Sequence, residues 1–369
     1  MLQSRVLIGC VAVAMTSVLS GCQSGPAEPV AQALTTPAPA AAPVRDATKF
    51  LTQPLISQIY TADPSAHVFR GRIYIYPSHD IETGMPRDEL GNHFGMRDYH
   101  VLSMNAVDGP VKDHGVALDV ADVPWASRQM WAPDAAQKDG KYYLYFPAKD
   151  RQDIFRIGVA VADNPAGPFK AQPAPIKGTY SMDPAVFEDA GRYYLIFGGI
   201  RGGQLQRWAS GSYRAEDTFP ADDQPALTPK IARLGTDMTS LDEELRDVVI
   251  QDEHGKPLLA GDNARRFFEA AWLHKYRGTY YLSYSTGDTH YIVYATSNSV
   301  YGPYTYRGRI LEPVQGWTTH QSIVEFRGQW LLFYHDSQLS GQTHLRNIKV
   351  TPLQYDADGS IRAINPLLD

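Results

Sequence analysis

Hydrophobic residues along this chain come in short runs bounded by glycine turns, and one such unit recurs five times. The turns are Arg70-Gly71-Arg72, Asp139-Gly140-Lys141, Ala190-Gly191-Arg192, Arg277-Gly278-Thr279 and Arg327-Gly328-Gln329. After them come Ile73-Tyr74-Ile75-Tyr76, Tyr142-Tyr143-Leu144-Tyr145, Tyr193-Tyr194-Leu195-Ile196, Tyr280-Tyr281-Leu282-Ser283 and Trp330-Leu331-Leu332-Phe333. β-Branched and aromatic side chains suit a pleated surface, and a glycine turn between two such runs signals a hairpin. Two units continue into a third strand that closes in Gly-Pro-aromatic, at Gly167-Pro168-Phe169 and Gly302-Pro303-Tyr304.

Five copies of one antiparallel unit predict an all-β fold, a five-bladed β-propeller. The turn glycines are mostly farther apart than the ~40–50 residues of compact blades, so the surplus is expected in loops and short insertions. A β-sandwich explains many short strands but not the return of the same hairpin with the same third strand.

The first residues follow another pattern. A basic start ending at Arg5 precedes an apolar run from Val6 to Leu19, too short to span a bilayer comfortably, which reads as an export signal over residues 1–21. Its end, Leu19-Ser20-Gly21-Cys22, resembles the bacterial lipobox, which makes Cys22 the expected site of lipidation. The expectation is an exported protein, lipid-anchored to the cell envelope on the periplasmic side or at the outer membrane, touching the membrane only through that anchor. Residues 22–48, rich in Ala, Pro and Thr, form a tether, and residues 49–369 form the propeller. Both cysteines, Cys10 and Cys22, lie in the leader, so the propeller is held without disulfides.

Charge and composition narrow the partners. A net charge of −6 without a long Lys/Arg run argues against nucleic acid, whose binding rests on neutralising phosphates. The 22 Tyr and 6 Trp offer flat faces that stack on sugar rings, although they are also good strand formers.

A polar residue recurs at nearly one offset ahead of each turn glycine: Asp63, Asp134, Asp183, Glu269 and His320. The first strand of a propeller blade lines the central channel, so these five should form a ring. Like charges so gathered raise one another's pKa, a cost that stability gives no reason to accept. Asp63 and Asp183 precede Pro64 and Pro184, which is expected to hold each acid in an extended conformation. Glu269, within Phe267-Phe268-Glu269-Ala270-Ala271-Trp272, has apolar neighbours that disfavour its ionised form and suit it to be a general acid.

Taken in order, Ala62-Asp63-Pro64, Trp131-Ala132-Pro133-Asp134, Ser181-Met182-Asp183-Pro184 and Phe268-Glu269-Ala270 resemble the motifs of glycoside hydrolase family 43, from about Tyr60 to the C-terminus. The resemblance implies an inverting hydrolase with Asp63 as general base, Glu269 as general acid, and Asp183 raising the pKa of the acid and orienting it. Its partner would be an oligosaccharide or polysaccharide of plant type. The first expectation is an α-L-arabinofuranosidase or β-xylosidase. The alternatives are an endo-acting arabinanase or xylanase, a β-galactofuranosidase, or a non-catalytic carbohydrate-binding propeller, which would have no reason to keep all three acids. No cofactor is required. Relatives commonly carry a histidine on the channel axis that helps hold a calcium or a water cluster, and His320 takes the matching position, although calcium prefers oxygen ligands. Trp131 and Asp134 are expected at the substrate, and Arg346 resembles a last-blade arginine that reaches the substrate or the base. The stretch from His79 to His100, with His93 and Asp98, reads as a long polar rim loop whose three histidines lack tight metal-ligand spacing.

Overall fold

The computed structural model describes residues 46–368; the expected export signal, the lipidation site Cys22 and nearly all of the tether lie outside the described residues. Five antiparallel sheets follow one another along the chain. Blade 1 is β1 (Tyr60–Phe69), β2 (Arg72–Asp80), β3 (Asp98–Met104) and β4 (Lys112–Asp119). Blade 2 is β5 (Ala126–Arg128), β6 (Asp134–Lys138), β7 (Lys141–Asp150), β8 (Phe155–Ala162) and β9 (Lys170–Ala171), with β5 and β6 both paired to β7. Blade 3 is β10 (Ala185–Asp189), β11 (Arg192–Phe197), β12 (Lys230–Arg233) and β13 (Arg246–Asp247). Blade 4 runs β15 (Glu269–Tyr276), β16 (Thr279–Ser285), β17 (Ile292–Ser297) and β18 (Tyr304–Leu311), with β14 (Ile250–Gln251) parallel to β18 at its edge. Blade 5 is β19 (Gln321–Phe326), β20 (Gln329–Asp336) and β21 (Asn347–Pro352).

The five predicted glycine turns join the first two strands of each blade, and each turn glycine has positive φ. The innermost strands touch in order, β1 to β6, β10, β15 and β19, and β19 returns to β1, which closes the ring around one channel. Closure is reinforced outside the channel: Phe50 bridges Leu367, and Leu55 N–H donates to Ile348 O at 2.9 Å.

The second strand of each blade reads as a continuous apolar run because both of its faces are covered. In β2, Ile73 and Ile75 pack with Leu331 and Phe333 of blade 5, while Tyr74 and Tyr76 pack with Leu144 and Phe146 of blade 2. Tyr145 of blade 2 turns the other way, onto Leu195 and Phe197 of blade 3. The core is thus a set of apolar layers between neighbouring blades, read out with the period of two of a strand.

The surplus sequence lies in loops, as expected: residues 81–97 follow β2, 198–229 follow β11, and 252–268 precede β15. All three reach the channel mouth. The expectation of one polar loop from His79 to His100 needs correction at its ends and at His93, because His79 lies in β2, His100 lies in β3 and His93 is buried.

One buried charge pair ties the last blade to the entering chain. The ammonium of Lys349 (β21) meets Asp336 Oδ2 (β20) at 2.5 Å and lies 4.0 Å from the centre of the Phe50 ring. Lys349→Met, which strands the Asp336 carboxylate, is expected to cost roughly 3–5 kcal/mol in chemical denaturation. Adding Asp336→Asn, which keeps an acceptor for Asn347, should recover most of that loss, and a double variant no better than the single one would contradict the pairing.

Candidate active site

At the channel mouth three acids share one cavity of about 430 Å³, lined by Asp63, Asp183 and Glu269 together with His320, Arg346 and Trp131. Local backbone irregularity aims them. The β1–β2 register shifts between Ala62 and Ser65, and the β15–β16 register shifts between Glu269 and Trp272. A bulge of this kind places two residues against one and re-aims a side chain. Asp63 and Asp183 have φ of 50° and 54°, so the expectation that the following proline keeps them extended is wrong. Aspartate tolerates the left-handed region better than most residues, and at Asp63 the bulge overrides the bias from proline. In blade 4 the positive φ, 62°, falls on Ala270, so Glu269 projects from one residue earlier than the two aspartates.

Asp63 is held by a dense set of donors. Arg346 Nη1 donates to Oδ1 at 3.0 Å and Ser78 Oγ to Oδ2 at 2.7 Å. The backbone N–H of Asp63 donates to His335 Nδ1 at 3.0 Å, which places the ring proton on Nε2, facing Thr318 O at 3.0 Å. This imidazole is therefore neutral, its pKa pushed down to about 3 by burial and the nearby guanidinium. Burial pushes the Asp63 carboxyl up, but Arg346, the histidines and Ser78 outweigh it and bring it down to about 2. Arg346 is fixed in turn by Asp80, with Nε to Oδ2 at 2.8 Å and Nη2 to Oδ1 at 2.7 Å. It therefore reaches the Asp63 carboxylate rather than lying free in the cavity.

Asp183 and Glu269 are in the opposite situation. Burial, followed by the charge of Asp183 and then that of Asp63, pushes Glu269 well above the usual carboxylate range. Burial and Asp63 do the same to Asp183, whose Oδ2 accepts the Ala270 N–H at 3.0 Å. That bond crosses from blade 3 to blade 4 and pins the peptide directly after Glu269. Two buried acids whose charges act on each other in this way titrate as a unit.

The remaining candidates divide. His320 faces the acids, with Nδ1 3.7 Å from Asp63 Oδ1 and 3.9 Å from Asp183 Oδ2, and burial pushes its pKa down to about 4. Trp131 lies in the cavity wall, its Nε1 donating to Phe94 O at 2.8 Å. It is wedged between loops: a Cβ on Gly91 would sit 2.7 Å from the ring, and one on Gly202 would sit 2.9 Å from Leu90 O. Asp134 lies outside the cavity lining. It starts β6 two residues beyond Ala132, which lines the cavity, and its carboxylate is taken by Ser65 and His67 of blade 1 and by the Val186 N–H of blade 3. Through these contacts it joins three blades.

Ser78, Asp80, Thr318 and His335 were not found from the sequence. Ser78 and Asp80 sit at the end of β2 with the period-two spacing of one face, a weak signal; nothing local marks His335. The rim loop contributes Arg87, His93 and Phe94 to the wall, with Phe94 5.0 Å from the Arg346 guanidinium.

A closed propeller whose channel mouth holds one carboxyl kept ionised beside two buried carboxyls that hold protons more firmly than usual has the makings of acid–base hydrolysis of a glycosidic bond. Comparison with known proteins agrees: the model of glycosyl hydrolases family 43 matches residues 52–361. The chain belongs to this family and is an inverting glycoside hydrolase. It is 58% identical to a xylosidase/arabinosidase of Humicola insolens over 85% of this chain and 99% of the relative. It is 57% identical to a xylosidase/arabinosidase of Bacteroides ovatus over 84% and 96%. A crystal structure of a β-xylosidase/α-arabinofuranosidase from a compost microbial metagenome, in complex with xylotriose, superposes with a TM-score of 0.85 at 64% identity, covering 87% of this chain and 99% of that one.

Arg346→Met removes the largest influence that lowers the pKa of Asp63. The acidic limb of kcat/KM against pH should rise by about 1–3 units. An unmoved limb would show that Arg346 does not set the charge of Asp63.

Proposed function

We propose that this chain is an exo-acting β-D-xylosidase and α-L-arabinofuranosidase that removes terminal sugars from xylan-type oligosaccharides. The observation that carries the chemistry is the opposite displacement of two carboxyls in one cavity: Asp63 down to about 2, Glu269 well up. The substrate class rests on the close relatives, named xylosidase/arabinosidase, and on the neighbour bound to xylotriose. Exo action is supported by the walls, since the loops 81–97 and 198–229 both reach the cavity.

In this reading Asp63, ionised and held by Arg346, takes a proton from a water that attacks the anomeric carbon. Glu269 gives its proton to the leaving oxygen, and the configuration inverts without a covalent intermediate. Asp183 positions Glu269 through the Ala270 N–H and keeps it protonated. Trp131 offers an apolar face to the sugar from the wall.

The residues at His320 fit a calcium ion with a mostly aqueous shell: the ring is neutral, makes no hydrogen bond to any of the described residues, and faces the carboxyl groups of Asp63 and Asp183. His320 would hold it through one nitrogen, and the ion would supply positive charge beside the acids. We further propose that the protein is exported and lipid-anchored through Cys22, with the tether setting its distance from the membrane. Radiolabelled palmitate incorporated by the wild type and not by Cys22→Ala would support this, and equal labelling would refute it.

The test of function is hydrolysis of nitrophenyl β-D-xyloside, α-L-arabinofuranoside and β-D-galactofuranoside alongside xylotriose. Release from the first two is expected, with Asp63→Asn inactive. Silence on every aryl glycoside with cleavage inside longer xylan or arabinan would show an endo-acting enzyme. Silence on all would leave a carbohydrate-binding propeller.

Glu269→Gln should abolish turnover and also stabilise the fold at neutral pH. A carboxyl whose folded pKa is raised loses folding stability as pH climbs from its unfolded value toward its folded one, and the neutral amide escapes that loss. Melting temperature above that of the wild type at pH 7, but not at pH 4, is the expected readout. An unchanged difference across pH would contradict the raised pKa.

A further inference from the structure

Away from the cavity, blade 1 brings together two imidazoles and a carboxylate that the acid chemistry does not use. His79 lies at the end of β2, and Asp98 and His100 lie at the start of β3. His79 Nδ1 is 2.6 Å from Asp98 Oδ1, and the two rings are centred 4.6 Å apart at 59°. One ligand atom from each of the three residues lies within 4.8 Å of the others. Their side chains are 17%, 11% and 12% exposed, sheltered yet reachable from solvent.

A fourth residue gives this cluster direction. His100 Nδ1 lies 2.9 and 3.1 Å from the two carboxylate oxygens of Asp113, and Asp113 Oδ1 is itself fixed by the Gly115 N–H at 2.8 Å. That contact puts the ring proton on Nδ1 and leaves Nε2 with the lone pair. A carboxylate behind a histidine is the usual outer support of a metal-bound imidazole, fixing its tautomer and raising its basicity.

We propose that His79, Asp98 and His100 form a binding site for a first-row divalent cation, zinc first among them, with Asp113 as the residue that orients His100. Two imidazoles and one carboxylate suit such a cation, whereas calcium and magnesium prefer oxygen throughout. Bonds of about 2.0–2.2 Å require shifts of roughly an ångström, opening the His79–Asp98 contact and drawing in the more distant atoms, within reach of side-chain rotation. The fourth place stays open to water.

The location gives the site a purpose. His79 and Asp98 stand on the two sides of the neck of the loop 81–97, which carries Arg87, His93 and Phe94 to the cavity wall. The residues flanking His79, Ser78 and Asp80, hold Asp63 and Arg346. A cation across the neck would staple the rim loop to the strand that supports the acid cavity. It would lie on blade 1, apart from any ion at His320.

The test uses chelator-treated protein titrated with Co²⁺, whose visible absorption reports a nitrogen/oxygen site of low coordination number, followed by displacement with Zn²⁺ and with Ca²⁺. One Co²⁺ per chain is expected, displaced by Zn²⁺ and not by Ca²⁺, retained in His320→Gln and lost in His100→Gln. Asp113→Asn, the milder change, should weaken binding by about 10–100-fold while leaving the fold of the metal-free protein intact. Zn²⁺ should also raise the melting temperature of the wild type and not of His100→Gln. No Co²⁺ bound, or binding unchanged in both His100→Gln and Asp113→Asn, would overturn the proposal, as would binding lost only in His320→Gln.

Discussion

The rest of the site depends on one guanidinium. Arg346 starts no strand and fills no core; it sits just ahead of β21, where the last blade meets the first. Its Nε and Nη2 lock onto Asp80 while Nη1 reaches Asp63. Its carbonyl accepts the Thr61 N–H at 2.9 Å, and its own N–H donates to Asp80 Oδ2 at 2.8 Å. Ring closure and the charge of the proposed base are therefore one interaction. Burial works against the charge on Arg346, but Asp63 and Asp80 hold its proton more firmly than usual. A planar fork that engages two carboxylates at once is something arginine provides and lysine does not.

That same guanidinium decides which acid keeps a proton. Asp63, Asp80, Asp183 and Glu269 are all buried, and Arg346 donates to the first two alone. Burial lowers His320 to about 4 and His335 to about 3, so at neutral pH both rings are uncharged and the fixed positive charge beside the acids is that of Arg346. With Asp63 ionised by its donors, the unfavourable charge falls on Asp183 and Glu269, which have no Lys or Arg in contact among the described residues. A proton retained by that pair follows from the distribution of donors and needs no special property of glutamate. The pair therefore stays poised to donate at pH values where an isolated carboxyl would be empty.

Much of this was legible in the sequence, for reasons that can be traced. Glycine turns between apolar runs marked every blade because both faces of each second strand are covered, which makes the runs continuous. Asp63, Asp183 and Glu269 were found because a repeat places equivalent residues around one axis. The same logic reached less far at Asp134, which lies nearer its glycine than the others and outside the cavity lining. The expected extended conformation of the Asp-Pro steps was wrong at both aspartates, and at Asp63 a bulge outweighs the local bias of proline. Ser78, Asp80 and His335 were silent because their importance arises between blades, from contacts far apart in the chain. The cluster at His79 was passed over for a related reason: its ligands are adjacent across β2 and β3, not along the sequence.

Strain at the three acids shows what holds them in place. Asp63, Asp183 and Ala270 sit at positive φ, a conformation that costs non-glycine residues of order 1–3 kcal/mol each. Each is secured by a partner on another blade: Asp63 N–H by His335 of blade 5, Ala270 N–H by Asp183 of blade 3, and Ala270 O by Gln321 Nε2 of blade 5 at 2.9 Å. None of these bonds exists within a single blade, so no blade could hold its acid alone. The strained conformations are stable only once the ring is closed, which makes the closed propeller the smallest unit able to present this site. Rigidity of that kind is what an inverting reaction requires, because a base and an acid on different blades must stay apart by the width of one water.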